Sequence, residues 1–335
     1  MSVTIEPAGG IEGEAVQRAI LRNRRGLEAA VLSFGATLQW LRLPGPDGRP
    51  VDLVLGFDRV EDYARLPGSV GATVGRFANR IARGRFVLDG RSVELPRNQE
   101  GRHHLHGGPR GFGLRPWSLE AEPEADAVVL RLVSPDGDSG YPGRLEATCR
   151  YALGADDVLE IEMRATADAP TPVNLVNHSY WNLAGGGTID GHLLQLHADR
   201  VLETDADTVP TGRILGVEGT DLDYRRPRRL DDRGPPRLDH CFLVPGEGLR
   251  PVARLEDPAS GRVLELEADQ PGVQVYSAFK LDVPGRGGVR YGPRAGLCLE
   301  TEALPDAPNH PHFPSAILRP GETYRHRMVC RIRRA

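Results

Sequence analysis

"LEIEMR", residues 159–164, places Leu159, Ile161 and Met163 on one side of an extended chain and Glu160, Glu162 and Arg164 on the other. Strict alternation of this kind separates apolar from charged groups only when every second residue faces the same way, as in a β-strand. The pattern returns near the end of the chain, where Tyr324, His326, Met328, Cys330 and Ile332 alternate with Arg325, Arg327, Val329 and Arg331. Between these lie turn signals. "RFVLDGRSVEL", residues 85–95, reads as a hairpin turning at Asp89-Gly90. Residues 252–266 read as another, turning through "DPASG". Forty glycines and 28 prolines punctuate the remainder, and the Pro-Gly clusters at 44–50, 234–236 and 284–288 read as surface loops. Helical periodicity is confined to a turn or two at residues 60–65. These features predict an all-β fold, a sandwich or barrel of many short strands. No linker, low-complexity segment or internal repeat divides the chain, so residues 1–335 are expected to form one large domain.

Composition narrows the function classes. The 335 residues are 39% hydrophobic and 26% charged, enough to bury a core. A net charge of -4 provides no field for nucleic acid or an anionic membrane, and a small polar or neutral partner fits better. No apolar run approaches the roughly 18 residues of a membrane span. The opening "MSVTIEPAGG" has neither the basic nor the apolar region of a signal peptide, so a cytoplasmic location is expected. Cys149, Cys241, Cys298 and Cys330 show no metal spacing and read as reduced thiols. Asn177-His178-Ser179 matches a glycosylation sequon, here taken as coincidence. Arginine supplies almost all of the basic charge, Lys280 being the single lysine.

Several clusters carry candidate chemistry. "NLVNHSYWNL", residues 174–183, surrounds His178 with amides and aromatics, a setting that favours a polar cleft over a core histidine bonded to backbone. "VGRFANRIARGRF" brings together Arg76, Asn79, Arg80, Arg83 and Arg85. Most of these arginines read as a solvated loop; Asn79-Arg80 is the better candidate, because a guanidinium fork can hold a sugar oxygen or carboxylate. In "HHLHGG" a strand would put His104 and His106 on one face beside His103, but no carboxylate or cysteine at ligand spacing accompanies them. The adjoining Gly107-Gly108 permits close backbone approach. Asp239 opens an apolar run and alone reads as a turn residue. In "GLCLETEALPDAPNHPHFPS" Glu300 and Glu302 fall on one side of a continuing strand, ahead of a proline-rich loop that could hold a general base.

Taken in order, "GATVGRFANRIARG", "HLHGG", "PVNLVNHSYWNL", "VPTGRI", "LDHCF", "PGVQVYS" and "CLETEALPDAPNHPHFPS…LRPGETY" resemble the motifs of the aldose 1-epimerases, the galactose mutarotase family. The resemblance runs from about residue 33 to 324. It implies a single large β-sandwich, the galactose mutarotase-like supersandwich, with an open sugar-binding cleft on one sheet. It implies interconversion of the α and β anomers of a free sugar, without metal or cofactor. Glu300 then corresponds to the general base and His178 to the general acid. His106 and Arg80 correspond to residues near the reacting oxygens, and Asn79, Asp239 and Gln274 to residues that bind sugar hydroxyls. The acid role requires His178 protonated while Glu300 is ionised. Trp181 or a neighbouring aromatic is expected against the sugar's C–H face. The resemblance leaves the oligomeric state open between monomer and weak dimer.

Three positions depart from the family pattern. Glu302 stands where glutamine is usual; if it faces the cleft it repels ionised Glu300 and raises the upper apparent pKa of the pair. His103 replaces a usual asparagine, and "YSAFKL", with Phe279, lacks a usual Gly-Asn. Other readings remain: a non-catalytic sugar-binding sandwich, a glycoside hydrolase using Asp239 and Glu300, or a hexose-phosphate epimerase anchored by the arginines at 76, 80, 83 and 85.

Overall fold

The computed structural model describes residues 2–45, 48–234 and 237–334, and its regular structure is almost wholly antiparallel strand. Among these residues the largest sheet has nine strands and a second has six. The nine-stranded sheet includes Leu145–Leu153, Val158–Ala167, Tyr324–Arg333 and Arg262–Ala268 as neighbours. The six-stranded sheet runs in the order Tyr180–Trp181, Leu297–Glu302, Gly272–Tyr276, Asp239–Leu243, Arg200–Thr204 and Pro210–Gly216. A five-stranded meander, from Ser2–Ile11 to Pro50–Asp52, precedes them. That meander lies largely upstream of the motif series.

The alternation in sequence is the alternation in space. Leu159, Ile161 and Met163 are buried, and they share one core with Met328, Cys330 and Ile332 of the adjacent strand. From the six-stranded sheet Val273, Val275, Leu297 and Leu299 enter the same core. The two sheets therefore pack face to face, as a sandwich. One polar tie crosses between them: Thr301 Oγ1 and His326 Nε2 lie 2.7 Å apart, while His326 Nδ1 meets the Leu175 carbonyl at 2.9 Å. The inner face of Leu297–Glu302 is thus committed to the core. Its other residues, Cys298, Glu300 and Glu302, must project from the far side.

The Arg85–Leu88 and Arg91–Glu94 hairpin turns at Asp89-Gly90, both with positive φ, the geometry favoured in two-residue turns. Arg250–Asp257 and Arg262–Ala268 form the second expected hairpin. The one α-helix among the described residues is Glu61–Arg65. The loop expectations at residues 46–47 and 235–236 lie outside the described residues.

Arg76 overturns the expectation of a solvated arginine loop. It is 1% exposed, and its guanidinium donates to the carbonyls of Ser134, Pro135, Pro142 and Gly143 at 2.8–3.2 Å. Burial lowers its pKa to about 10, which leaves it charged at neutral pH. Five N–H donors allow one buried cation to satisfy several loop carbonyls at once. Arg83 and Arg85, by contrast, are exposed as expected. Replacing Arg76 by alanine would strand these acceptors, so Arg76→Ala is expected to lose about 3–5 kcal/mol of stability, measured by urea unfolding.

Candidate functional site

The outward face of the six-stranded sheet forms the floor of a cleft. Strand register places Glu300 opposite Gln274, and Gln274 opposite Cys241; Tyr276 lies between Cys298 and Asp239. Period-two geometry therefore puts Glu300, Gln274, Tyr276 and Asp239 on one surface. The walls come from two loops. Asn79 and His106 hold them together reciprocally: Asn79 N–H donates to His106 Nδ1 at 3.2 Å, and His106 N–H donates to the Asn79 carbonyl at 3.0 Å. Both residues have positive φ, 59° and 51°, a conformation that asparagine and histidine tolerate better than most. A Cβ on the following Gly107 would lie 1.8 Å from the Gly75 carbonyl oxygen, so the close approach at this turn requires glycine.

Asn79, Arg80, His106, His178, Asp239, Gln274 and Glu300 all line one cleft of about 230 Å³. That volume is below the roughly 300–1,000 Å³ common for drug-sized ligands and suits a small polar one. Gln99, Tyr276 and Lys280 also line it. Gln99 Oε1 accepts from Arg80 Nε at 3.1 Å, with nothing in its local sequence to mark it. Tyr276 was legible, being two residues from Gln274 on the same strand face. Lys280 is exposed at the rim, its ammonium 5.5 Å from the Phe279 ring centroid.

His178 and Glu300 face one another, with Nε2 and Oε2 3.6 Å apart, and both are buried. The ring stacks on Tyr180 at 5.1 Å, and its Nδ1 lies 3.6 Å from Cys298 Sγ. Burial lowers the pKa of His178 to about 4. Burial, then the charges of Glu302 and Asp239, raise Glu300 well above the ordinary carboxylate value. Without ligand, the proton of the pair therefore rests on Glu300, the reverse of the expected distribution. His106 is also kept neutral by burial. Since its Nδ1 accepts the Asn79 N–H, its own hydrogen is assigned to Nε2.

Other expectations change. Asn174, Asn177, Ser179 and Asn182 are all at most 2% exposed and spend their polar groups inside the protein. Asn177 Nδ2, for example, donates to Tyr151 Oη at 3.1 Å, and Asn182 Nδ2 donates to the Ala295 carbonyl at 2.9 Å. These amides build the wall behind His178 and do not contact the cleft; the sequon asparagine is likewise inaccessible. Trp181 pairs with Leu297 on the inner face and lies in the core, leaving Tyr276 as the aromatic of the cleft. The expected common face of His104 and His106 fails because the strand ends at Leu105 and His106 turns to positive φ. His104 instead meets Tyr141 Oη at 2.7 Å and the Pro96 carbonyl at 2.8 Å, while His103 bonds to the Arg83 N–H and Asp207. Among the described residues, His178, Cys298 and Glu300 form the one cluster with metal-ligand chemistry, their donor atoms lying within 4.8 Å. Burial raises the Cys298 thiol well above its usual pKa, which opposes the thiolate a metal needs.

Comparison with known proteins identifies relatives of this arrangement. The aldose 1-epimerase family model matches residues 17–331. Galactose mutarotase from Rattus norvegicus is 42% identical over 329 residues, covering 96% of this chain and 94% of its own. Aldose 1-epimerase from Escherichia coli (strain K12) is 38% identical over 332 residues, covering 95% of each. Among solved structures, an aldose epimerase homologue from C. elegans superposes with a TM-score of 0.89 at 34% identity, covering 94% of this chain and 98% of that one. Galactose 1-epimerase from Lactobacillus acidophilus gives 0.88 at 26% identity, covering 100% and 99%.

The buried titrating groups make stability depend on pH in two opposing ways. Glu302, with its pKa raised from 4.5 to about 8, keeps a proton that the unfolded chain surrenders, so stability falls as pH rises through that window. His178 and His104, lowered from 6.5 to about 4, destabilise the fold as pH falls through theirs. The thermal midpoint is therefore expected to peak on the mildly acidic side. Glu302→Gln removes one titration and should lessen the decline between pH 6 and 9 by about 3–5 °C, read by calorimetry.

Proposed function

This chain belongs to the aldose 1-epimerase family and is a mutarotase, interconverting α and β anomers; we propose that Glu300 and His178 perform the reaction on a free aldohexose such as galactose or glucose. The observation that carries the assignment is the 3.6 Å approach of His178 Nε2 to Glu300 Oε2 at the floor of a sugar-sized polar cleft. Glu300 takes the proton of the anomeric hydroxyl, and the C1–O1 bond becomes a carbonyl. The C1–O5 bond breaks, and His178 gives its proton to O5. Rotation about C1–C2 presents the other aldehyde face. Ring closure then reverses both transfers, returning the proton to O1 from Glu300 and taking that of O5 onto His178.

The open-chain aldehyde thus leaves Glu300 protonated and His178 neutral. That is the distribution the empty cleft favours, so its electrostatics suit the intermediate better than the ring. Arg80, anchored by Gln99 and 3.7 Å from Asp239, and the Nε2–H of His106 provide donors for sugar oxygens. Gln274 Nε2 donates to Asp239 Oδ1 at 2.6 Å, which fixes two groups for hydroxyl recognition. Tyr276 offers an aromatic face to the ring carbons.

A phosphorylated substrate is less well supported. Arg76 is committed to carbonyls and Arg83 and Arg85 lie outside the cleft lining, leaving Arg80 and Lys280 as its cations. We further propose one catalytic domain spanning residues 1–335, acting in the cytoplasm as a monomer or weak dimer. Polarimetry of freshly dissolved α-D-galactose and α-D-glucose tests the activity; acceleration over buffer is expected, and its absence across a panel of aldoses would contradict the assignment. Glu300→Gln and His178→Asn should each slow turnover by about two orders of magnitude or more, with near-parental rates removing the residue from its role.

A further inference from the structure

Glu302 takes no part in the proton transfers, yet it is 0% exposed and projects from the same strand face as Glu300. Each of its oxygens meets an amide. Oε1 accepts from Asn79 Nδ2 at 3.1 Å and Oε2 from Asn174 Nδ2 at 3.3 Å. Neither amide is free to turn round. Asn79 Oδ1 accepts from the Arg80 N–H at 2.9 Å and from Arg80 Nη1 at 3.3 Å. Asn174 Oδ1 accepts from the Ala303 N–H at 3.0 Å. Both amides therefore present hydrogens, and the group between them must present two acceptors. A carboxyl does so; a carboxamide has one acceptor and would set its own NH2 against a second donor. Gly272 faces Glu302 across the strand pair, where a Cβ would come within 2.9 Å of Cys241 Sγ and Leu304 Cδ2.

We propose that Glu302 is a positioning residue of the anomerisation site: it locks Asn79, and through it Arg80, at the cleft, and on the alkaline side, once ionised, it stands as a second carboxylate beside Glu300. This rests on the catalytic reading given above. Glu302 holds its proton up to about pH 8, and once it ionises the groups around it do little to cancel its charge. Its own strand contributes Glu300, and Asp239–Leu243 contributes Asp239 and the Cys241 thiol. The final strand contributes the Tyr324 hydroxyl. Arg80 is the cation that acts on both glutamates, and it is shared with Asp239 at 3.7 Å. On the far side Glu300 faces neutral His178, the Cys298 thiol and the Tyr180 and Tyr276 hydroxyls, none of which supplies positive charge at neutral pH. After burial, Glu302 is the largest cause of the raised pKa of Glu300.

The test is the pH profile of kcat/KM for anomerisation by the parent, Glu302→Gln and Glu302→Asp. Removing the charge lets the His178–Glu300 pair lose its last proton at lower pH, so the alkaline limb moves towards acid. At the pH where the parent keeps half its plateau, Glu302→Gln should keep roughly three- to tenfold less of its own, with KM raised several-fold. Glu302→Asp retains charge but not reach, so its KM should rise while the alkaline limb stays. A Glu302→Gln profile superimposing on the parent's overturns the proposal, as does a limb that moves equally in Glu302→Asp. Should Glu302→Gln fail to fold, the limb of Glu302→Asp decides alone: unmoved with raised KM supports the proposal, displaced overturns it. Failure of the parent itself to accelerate anomerisation would instead strike at the function, a separate result.

Discussion

A strand covered on both faces has nowhere to put a carboxylate except where a ligand will come. Leu297–Glu302 is such a strand. Leu297, Leu299 and Thr301 are used up in joining the two sheets, so Glu300 and Glu302 stand on the remaining face, buried but not in the core. The register then sets Gln274 beside Glu300 and brings Asp239 and Tyr276 onto the same surface. No loop has to choose these positions. The loops contribute what a sheet cannot, namely His178, His106 and Arg80 approaching from above.

Electrostatics follow from that placement. Desolvation is the first cause of every large shift in the cleft, raising carboxyl groups and lowering imidazoles together. A site closed by cations would have kept Glu300 ionised and idle as a base. Here the acids are held largely by amides and by one shared guanidinium, so proton affinity remains high where a proton must be collected. The cost appears in stability, because each buried acid disfavours folding once solution pH passes its ordinary pKa.

Much of this was readable in the sequence because strands write their geometry with a period of two. The alternation at 159–164 and 324–332 and the shared side of Glu300 and Glu302 came from that rule, and both hairpins from the turn residues that interrupt it. The resemblance of the ordered motifs supplied roles that periodicity cannot. Where reading failed, residue type was mistaken for environment. Arg76 looked solvated because arginine usually is, but distant carbonyls 58–67 residues away capture it. The amides around His178 looked like ligand groups, yet they satisfy turns and neighbouring strands. His106 parted from His104 because a strand ended one residue earlier than the pattern suggested. Each miss depends on partners far apart along the chain, which local pattern does not encode.

The scarcity of lysine has a practical edge. With Lys280 the single lysine, exposed at the mouth of the cleft, side-chain amine coupling is regioselective by composition alone. A bulky acyl or dye group attached there would sit over the sugar's entrance. Immobilisation through the Lys280 side chain would present the molecule mouth-first to the support, whereas a cysteine placed on the opposite sheet, with all four native thiols buried, would leave the entrance facing the solution.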